Sequence, residues 1–483
     1  MIRFAYLCFI LSVAQISIAQ IAVGSEFINK FVERDVFKHA TISASVLEIN
    51  SDKEILSFQK DKVLVPASSL KLFTTFTALH ILGEDFTYKT DVNYVGHILK
   101  DGTLEGDIYI TGSGDPTLGS SKFSGYPNFQ DLLLDIVNQI KKIGISCVTK
   151  NIIADESIFN SYPISPSWQW NDLGNYYAGG AWGINVNDNQ YYIFFGQQAA
   201  EGMVPKLKRY GPKIPNLILH NEVETGPPGS GDQAYIFGGP YNYTKRIVGT
   251  IPPGTKEFII KGSIPDPPLF MAYHIQYALQ KQKIKVDGYK TLFEWAGKKP
   301  KFNTIASYES PRLSAIVKKI NAESNNLYCE ALLKTIGQKT SNQGSGTKGI
   351  QSIEAYMKSL DVDISGMRMD DGSGLSTRNA ISSYMMADFL KGVANTIGLE
   401  TATSYLPKAG LQGTVKSLLK NSPAKGRVWA KSGSMEGIMS YSGYIKTKSG
   451  KWMSYSIIVN GFPDKLKKLR TELQDFLEGV YQL

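Results

Sequence analysis

The two ends of this chain read as halves of one sheet. Thr41–Ile49 and Glu54–Phe58 are strand-like runs joined by the turn Asn50–Lys53, which makes a hairpin. A helical pattern precedes them over Gln20–Lys38, and another follows, to about Leu82. At the far end Arg427–Lys431, Ile438–Lys446 and Met453–Val459 are three more strands on short loops. Behind them Asp464–Leu483 is an amphipathic helix, with Leu466, Leu469, Leu473, Phe476, Leu477 and Val480 on its apolar stripe. Together the ends make one antiparallel sheet with helices packed on it, interrupted by the middle of the chain. The expected fold class is α+β and multidomain.

The 483 residues suffice for two or three domains with sizeable cores. From Tyr88 to about Pro300 short strands and glycine turns dominate, broken by a helix over Phe129–Ile143. Within this stretch Gln190 to about Pro268 reads as a smaller all-β piece, with runs such as Tyr191–Phe194 and Glu257–Ile260 and a boundary at Pro265–Pro268. The expected organisation is therefore a discontinuous domain of residues 20–86 and 300–483, an inserted domain over 87–299, and a β domain nested in it at about 190–268. Helices return at Leu313–Ile320, Asn321–Ile336 and Gly349–Leu360. Gly344–Gly349 fits G-x-G-x-x-G, but it follows a helix rather than a strand and reads as a helix–helix loop.

Arg3, an apolar run from Phe4 to Ile16 and the small residues Ser17 and Ala19 form a secretory leader, with cleavage expected after Ala19 and residues 1–19 removed. No later segment approaches the ~20 apolar residues that span a bilayer. The expected product is exported, periplasmic or associated with the cell wall, and at most peripheral to a membrane. Net charge is +9, or +8 without Arg3, which suits an anionic surface such as a wall or membrane. Basic residues form no aromatic-interleaved stripe of the nucleic-acid type, so no nucleic-acid partner is expected. Cys147 and Cys329 remain after the leader, far apart, and read as buried free thiols. Metal-ligand spacing is absent, and neither metal nor cofactor is expected.

Val65–Phe73 carries the first chemical motif. Pro66 suits the start of a helix, and Leu72, Phe76 and Leu79 recur at helical spacing. Ser68 and Lys71 then share one face. A serine hydroxyl becomes a nucleophile when a base takes its proton, and a lysine can do so where burial or a positive neighbour leaves it neutral. Spacing alone is weak: Ser57/Lys60, Ser345/Lys348, Ser417/Lys420 and Ser422/Lys425 repeat it. Two further motifs support Ser68. Ser324-Asn325-Asn326 opens a helix, where Ser324 can relay a proton and the Asn326 amide can hold both a carbonyl and Lys71; the plain alternative is a helix cap. Lys431-Ser432-Gly433 lies on a strand, where cation and hydroxyl can grip a carboxylate and Gly433 admits a close backbone. The plain alternative there is a lysine-protected sheet edge, and Lys448-Ser449-Gly450 repeats the triplet in a hairpin turn.

Ser-x-x-Lys, Ser-x-Asn and Lys-Ser-Gly in this order resemble the penicillin-binding proteins and serine β-lactamases. Ser68 and Ser324 lie 256 positions apart, which is similar to class C, type-4 penicillin-binding proteins, the D-alanyl-D-alanine carboxypeptidase/endopeptidase family. Gly112–Leu118, Trp182–Asn189, Asp371–Ser376, Leu406–Gly410 with Gly413-Thr414, and Ala430–Gly437 carry the likeness across most of the chain. The chain departs in small ways: Ser-Asn-Asn stands for Ser-Asp-Asn and Lys-Ser-Gly for Lys-Thr-Gly, and Glu436 occupies a variable position near the substrate strand.

The resemblance implies a β-lactamase/transpeptidase-like domain, a five-stranded antiparallel sheet flanked by helices, with large β-rich insertions. It implies a serine-type D-Ala-D-Ala carboxypeptidase, with D,D-endopeptidase activity also open, that acts on peptidoglycan stem peptides and binds β-lactams covalently. Ser68 would attack, Lys71 would accept its proton, and Ser324, Asn326 and Lys431 would complete the catalytic set. Ser432, Gly433 and Ser434 would bind substrate, with the N–H groups of Ser68 and Ser434 as oxyanion hole. Asp155 and Arg378 resemble positions facing the substrate's side-chain end; for each the alternative is a structural ion pair. The rival functions are a serine β-lactamase and a non-catalytic wall-binding scaffold.

Overall fold

A computed structural model of the chain describes residues 23–51, 53–463 and 465–483. The expected leader, residues 1–19, lies outside them. The chain divides into two compact units. The first comprises the residues up to His80, Ser314–Asn325 and Ile350–Leu483; the second comprises Ile81–Leu313 and Asn326–Gly349.

The first unit holds the sheet expected from the chain ends. Its five strands run in the order Val428–Met435, Ile438–Lys446, Trp452–Asn460, Thr41–Glu48, Glu54–Phe58, all antiparallel. The chain thus closes its sheet by pairing Thr41–Glu48 with Trp452–Asn460. One face packs the terminal helices: Ile28 and Phe31 of the helix over 23–32 meet Leu473, Phe476 and Leu477 of Leu466–Gln482 above Ile42, Ala44 and Val46. The stripe residues Leu469, Leu473, Phe476, Leu477 and Val480 are all buried, as the helical period requires.

The opposite face is lined with serines. Ser43, Ser45, Ser440, Ser442, Ser454 and Ser456 are fully buried. Such small side chains let helices approach the sheet closely, and each hydroxyl needs a partner once water is excluded. Ser43 and Ser45 bond the Ser383 hydroxyl of helix Ser383–Ile397 at 2.7 and 2.8 Å, and Ser442 bonds Ser456 at 2.9 Å. Ser440 donates to the Pro66 carbonyl at 2.6 Å and to Ser69 Oγ at 3.0 Å, which ties the turn before Ser68 to the sheet.

The second unit contains a five-stranded sheet in the order Lys285–Leu292, Cys147–Asp155, Thr103–Thr111, Lys89–Ile98, Asn303–Glu309, with its first two pairings parallel. Helices Phe129–Lys142 and Pro267–Lys281 share its apolar core. Two three-stranded sheets complete it, one built on Gln190–Gly196 between Glu257–Ser263 and Lys206–Gly211, the other on Thr244–Ile251. Neither remaining cysteine is in a disulfide; Cys329 is buried, but Cys147, expected buried, is only partly so.

Three local readings are corrected. The 15-residue helix Pro267–Lys281 occupies a stretch read as strands and turns. Its prolines mark a helix start, since proline fits the first turn, and Asp266 caps it by accepting from Leu269 N at 2.9 Å. Ser68 lies not on the α-helix but in a 3-10 turn, Ala67–Leu70, from which α-helix Lys71–Leu82 continues. The strand ending in the expected reading at Lys431 runs on to Met435 and carries the whole Lys-Ser-Gly triplet.

Residues 326–349 group with the second unit because helix Asn326–Ser341 is anchored there. Tyr88 OH and Thr335 Oγ1 are 2.9 Å apart, Tyr328 donates to Asp188 at 2.6 Å, and Lys334 donates to the carbonyls of Tyr162 and Ala181 at 2.6 and 2.9 Å. Burial, reinforced by the charge of Asp266 and opposed by Lys334, pushes the nearby Glu156 carboxyl up to about 8 from 4.5. The folded protein therefore holds a proton there that the unfolded chain releases above about 4.5. The associated stability is complete below that pH and is lost as pH rises through about 8. Glu156→Gln stays neutral throughout, so its melting temperature relative to wild type should climb by several degrees between pH 5 and 9, read by calorimetry in a pH series.

Candidate active site

Ser68, Lys71, Ser324 and Lys431 come together within the first unit. Lys71 is the first residue of its α-helix and is fully buried. Its Nζ donates to Ser68 Oγ at 2.9 Å and to the Ser373 carbonyl at 2.6 Å. The 3-10 turn preserves the contact that an α-helix was expected to make, because its residues at i and i+3 eclipse. Burial of this amine is the condition that the Ser-x-x-Lys reading set for a base.

Lys431 is likewise fully buried, and its Nζ donates to Ser324 Oγ at 2.9 Å and to the Ser432 carbonyl at 2.7 Å. Ser324 occupies the break between helices Leu313–Glu323 and Asn326–Ser341 with φ of 61°. A non-glycine residue in that region is held by its surroundings, and such strain gathers at functional sites. Ala67, just before Ser68, also has a positive φ, 48°. Asn326 begins the next helix; its amide donates to the Tyr177 carbonyl at 2.9 Å within the second unit.

Lys431–Met435 runs along the sheet's edge, since Val428–Met435 is its outermost strand. Ser432 Oγ lies 2.8 Å from Thr414 Oγ1, and Ser434 is exposed. Gly433 sits where the strand meets the turn carrying Ser68: a Cβ there would lie 2.5 Å from the Pro66 carbonyl oxygen and 2.9 Å from Ser68 N, and would strike Ser440 Oγ.

Asp155 and Arg378 each have ion-pair partners of their own. Asp155 is buried in the second unit, accepting from Trp295 Nε1 at 3.1 Å and Ser157 N at 3.1 Å, with Lys299 Nζ at 3.8 Å. Arg378 is half exposed in the first unit and pairs with Asp370 at 3.1 Å.

A further element went without a role in the sequence reading, the loop Asp371–Ser376. Asp371 accepts from Gly374 N at 2.8 Å, Ser376 N at 2.6 Å and Asn379 Nδ2 at 2.9 Å, which curls the loop. The curl aims the Ser373 carbonyl at Lys71, while Gly372 O accepts from Thr74 Oγ1 at 2.8 Å. Gly374, at φ 76°, has no room for a side chain beside the Ala67 carbonyl. The signal was present, an aspartate followed by two glycines, but the carbonyl it presents belongs to the backbone and leaves no trace in residue type.

The sequence pattern of the D-Ala-D-Ala carboxypeptidase 3 (S13) family matches residues 25–478. A D-alanyl-D-alanine carboxypeptidase of Actinomadura sp. (strain R39) is 26% identical over 460 residues, spanning 93% of this chain and 83% of that protein. The crystal structure of penicillin binding protein 4 from Haemophilus influenzae superposes with a TM-score of 0.81 at 20% identity, covering 93% of this chain and 99% of that one. The same protein complexed with a β-lactam gives 0.73 at 20% identity, over 92% and 98% of the two chains. The fold is the one those structures share.

Gly433→Ala should force the turn carrying Ser68 away from the strand. Labelling of the protein by a fluorescent penicillin, followed in time on a denaturing gel, should slow by about 100-fold or more, since misplacing reacting groups by about 1 Å costs on that order.

Proposed function

Because the chain belongs to the D-Ala-D-Ala carboxypeptidase 3 (S13) family, we propose that it is a serine-type D-Ala-D-Ala carboxypeptidase of peptidoglycan that binds penicillin covalently through Ser68. The observation that carries this reading is the 2.9 Å contact between the buried Lys71 amine and the Ser68 hydroxyl.

In the proposed reaction the peptide lies along Lys431–Met435 as an added strand. Lys431 and Ser432 hold its terminal carboxylate. Lys71 takes the Ser68 proton as Oγ attacks the penultimate D-Ala carbonyl, and the N–H groups of Ser68 and Ser434 receive the oxyanion. The C–N bond breaks, and Ser324, bonded to Lys431, passes a proton to the leaving D-Ala amine. Asn326 is assigned to the substrate carbonyl, following the motif. Water then cleaves the ester. With penicillin the ring C–N bond opens, the leaving group stays tethered, and the ester persists. Internal D,D-cross-links present the same bond, so endopeptidase activity belongs to this proposal. For Asp155 and Arg378 the ion-pair alternative is the one their contacts support.

The proposed organisation is a catalytic domain drawn from residues 20–86 and 300–483 and interrupted by an insertion over 87–299 with a β domain nested at about 190–268; within the span 300–483, Asn303–Glu309 and residues 326–349 pack in the second unit. Export to the periplasm or wall is proposed from the leader pattern. Among the described residues no helix is long and apolar enough to cross a membrane.

Ser68→Ala should abolish both release of D-Ala from a stem pentapeptide and the penicillin-labelled band. Lys71→Ala should lower acylation by at least about 100-fold, the contribution expected of a positioned base. Undiminished release by the serine variant would sink the assignment, and rapid multiple turnover of penicillin by wild type would replace it with the β-lactamase reading.

A further inference from the structure

Two of the runs that carry the family likeness, Leu406–Gly410 and Gly413-Thr414, have no part in the proposed chemistry, yet they lie against the strand that does. Ala430 N donates to Pro407 O at 3.1 Å, and Ala409 N donates to Val428 O at 2.9 Å. The segment Pro407–Ala409 thus covers the first half of the open edge of Val428–Met435. Main-chain groups alternate in direction along a strand, so the next ones on that side belong to Ser432 and Ser434, beyond the covered stretch. The segment is held in place: the Lys408 amine lies 5.2 Å from the Trp429 ring, Gly410 N donates to Val415 O at 3.0 Å, and Gly426 N donates to Ala409 O at 3.0 Å. The chain then turns back. The 3-10 turn Gly413–Val415 sets Thr414 Oγ1 2.8 Å from Ser432 Oγ. Gly413, at φ 56°, lies so close to the helix carrying Ala322 that a Cβ there would be 2.5 Å from the Ala322 carbonyl oxygen, two residues before Ser324. All of these residues belong to the first unit.

We infer that Pro407–Val415 is an end stop for the substrate strand, and that Thr414 joins Lys431 and Ser432 in binding the carboxylate that ends there. Thr414 is then a specificity-determining residue, one that selects a leaving residue whose carboxylate is free. The inference rests on the proposed carboxypeptidase reading and goes beyond it in saying what closes the cleft. Pro407 stands opposite Ala430 and Ala409 opposite Val428, so the covering segment runs antiparallel to the strand. A peptide added beyond it with its carboxyl end at Lys431 runs the same way and meets Pro407 head-on. Any further residue would need the main-chain groups of Ala430 and Val428, which are already bonded. The chain has to end at that point, and an ended chain presents a carboxylate. Each hydroxyl has one proton to donate, whereas a carboxylate only accepts. With Thr414 and Ser432 at 2.8 Å, one proton lies between the two oxygens and the other is left to donate outward. A bond of that kind to a charged acceptor is roughly twice as strong as one to a neutral amide.

The test uses the full chain with Thr414→Val, which keeps the shape and loses the hydroxyl, and Thr414→Ser, which keeps the hydroxyl. Three soluble substrates are compared: a pentapeptide ending in D-Ala-D-Ala, its C-terminal amide, and the same peptide extended by one glycine. Cleavage of the D-Ala–D-Ala bond is followed through release of D-Ala, D-alaninamide and D-Ala-Gly respectively. Wild type should favour the acid over the amide, and over the extended peptide, by about 100-fold or more in kcat/KM. Thr414→Val should narrow the preference for acid over amide about tenfold, the scale of one hydrogen bond to a charged group, through a higher KM on the acid rather than a lower kcat. Thr414→Ser should restore it. Wild type that cleaves the extended peptide as well as the acid would overturn the inference. So would Thr414→Val that loses acid and amide activity equally, as a merely structural tie requires, or that keeps the wild-type preference. Wild type that releases no D-Ala and takes no penicillin label would refute the carboxypeptidase reading and this inference with it, whereas an active wild type that fails these comparisons refutes the inference alone.

Discussion

The buried amine of Lys71 is the group around which the first unit is arranged. An amine taken out of water is costly unless its N–H groups find partners. Here they find Ser68 Oγ and the Ser373 carbonyl. The second partner exists because Asp371 curls its loop with three accepted hydrogen bonds, and because Gly374 tolerates a left-handed backbone against the Ala67 carbonyl. The first exists because the turn before Ser68 is tied to the sheet by Ser440. Ser68, Lys71 and their supports are thus one hydrogen-bonded assembly. A fault in the loop is felt at Ser68 through Lys71, which the Ser373 carbonyl holds.

The serine-lined sheet face follows from the same constraint. Small side chains there suit the close approach of the turn carrying Ser68 to Gly433 on the strand edge. Row by row, Lys431 is paired with Ser442, Ser442 with Ser456, and Ser456 with Ser45. Residues paired across strands share a face, so the second buried lysine sits at the end of a row of hydroxyls rather than a row of methyls. That polarity makes burial of Lys431 tolerable, while hydrogen bonds among the serines keep the face closed. Strain accompanies the arrangement at Ala67 and Ser324, the residues that flank or carry the hydroxyls bonded by the two buried lysines.

Much of this was legible in the sequence. Strand alternation gave Glu54–Phe58 to the residue, and the helical period of Leu469, Leu473, Phe476, Leu477 and Val480 predicted the buried stripe of the last helix. The three motifs could be read because each places side chains with distinctive chemistry at short fixed spacing. What escaped was written in the backbone or in ambiguous punctuation. The Ser373 carbonyl has no residue-type signature. Pro267-Pro268 serves equally as a loop and as a first helical turn, and only Asp266 before it and the packed face of Phe270, Ile275 and Leu279 decide for the helix. Asp155 stands at the end of a strand in a chemically suggestive run, yet Trp295 and Lys299, over a hundred residues away, determine what its carboxylate does.

The two units differ in what they expose. The fully buried Lys71 and Lys431, a serine at positive φ and the free edge of the serine-lined sheet are gathered in the first unit. Every prominently exposed aromatic side chain among the described residues, from Tyr126 to Phe293, belongs to the second. Exposed rings in that number are an aggregation liability unless something covers them.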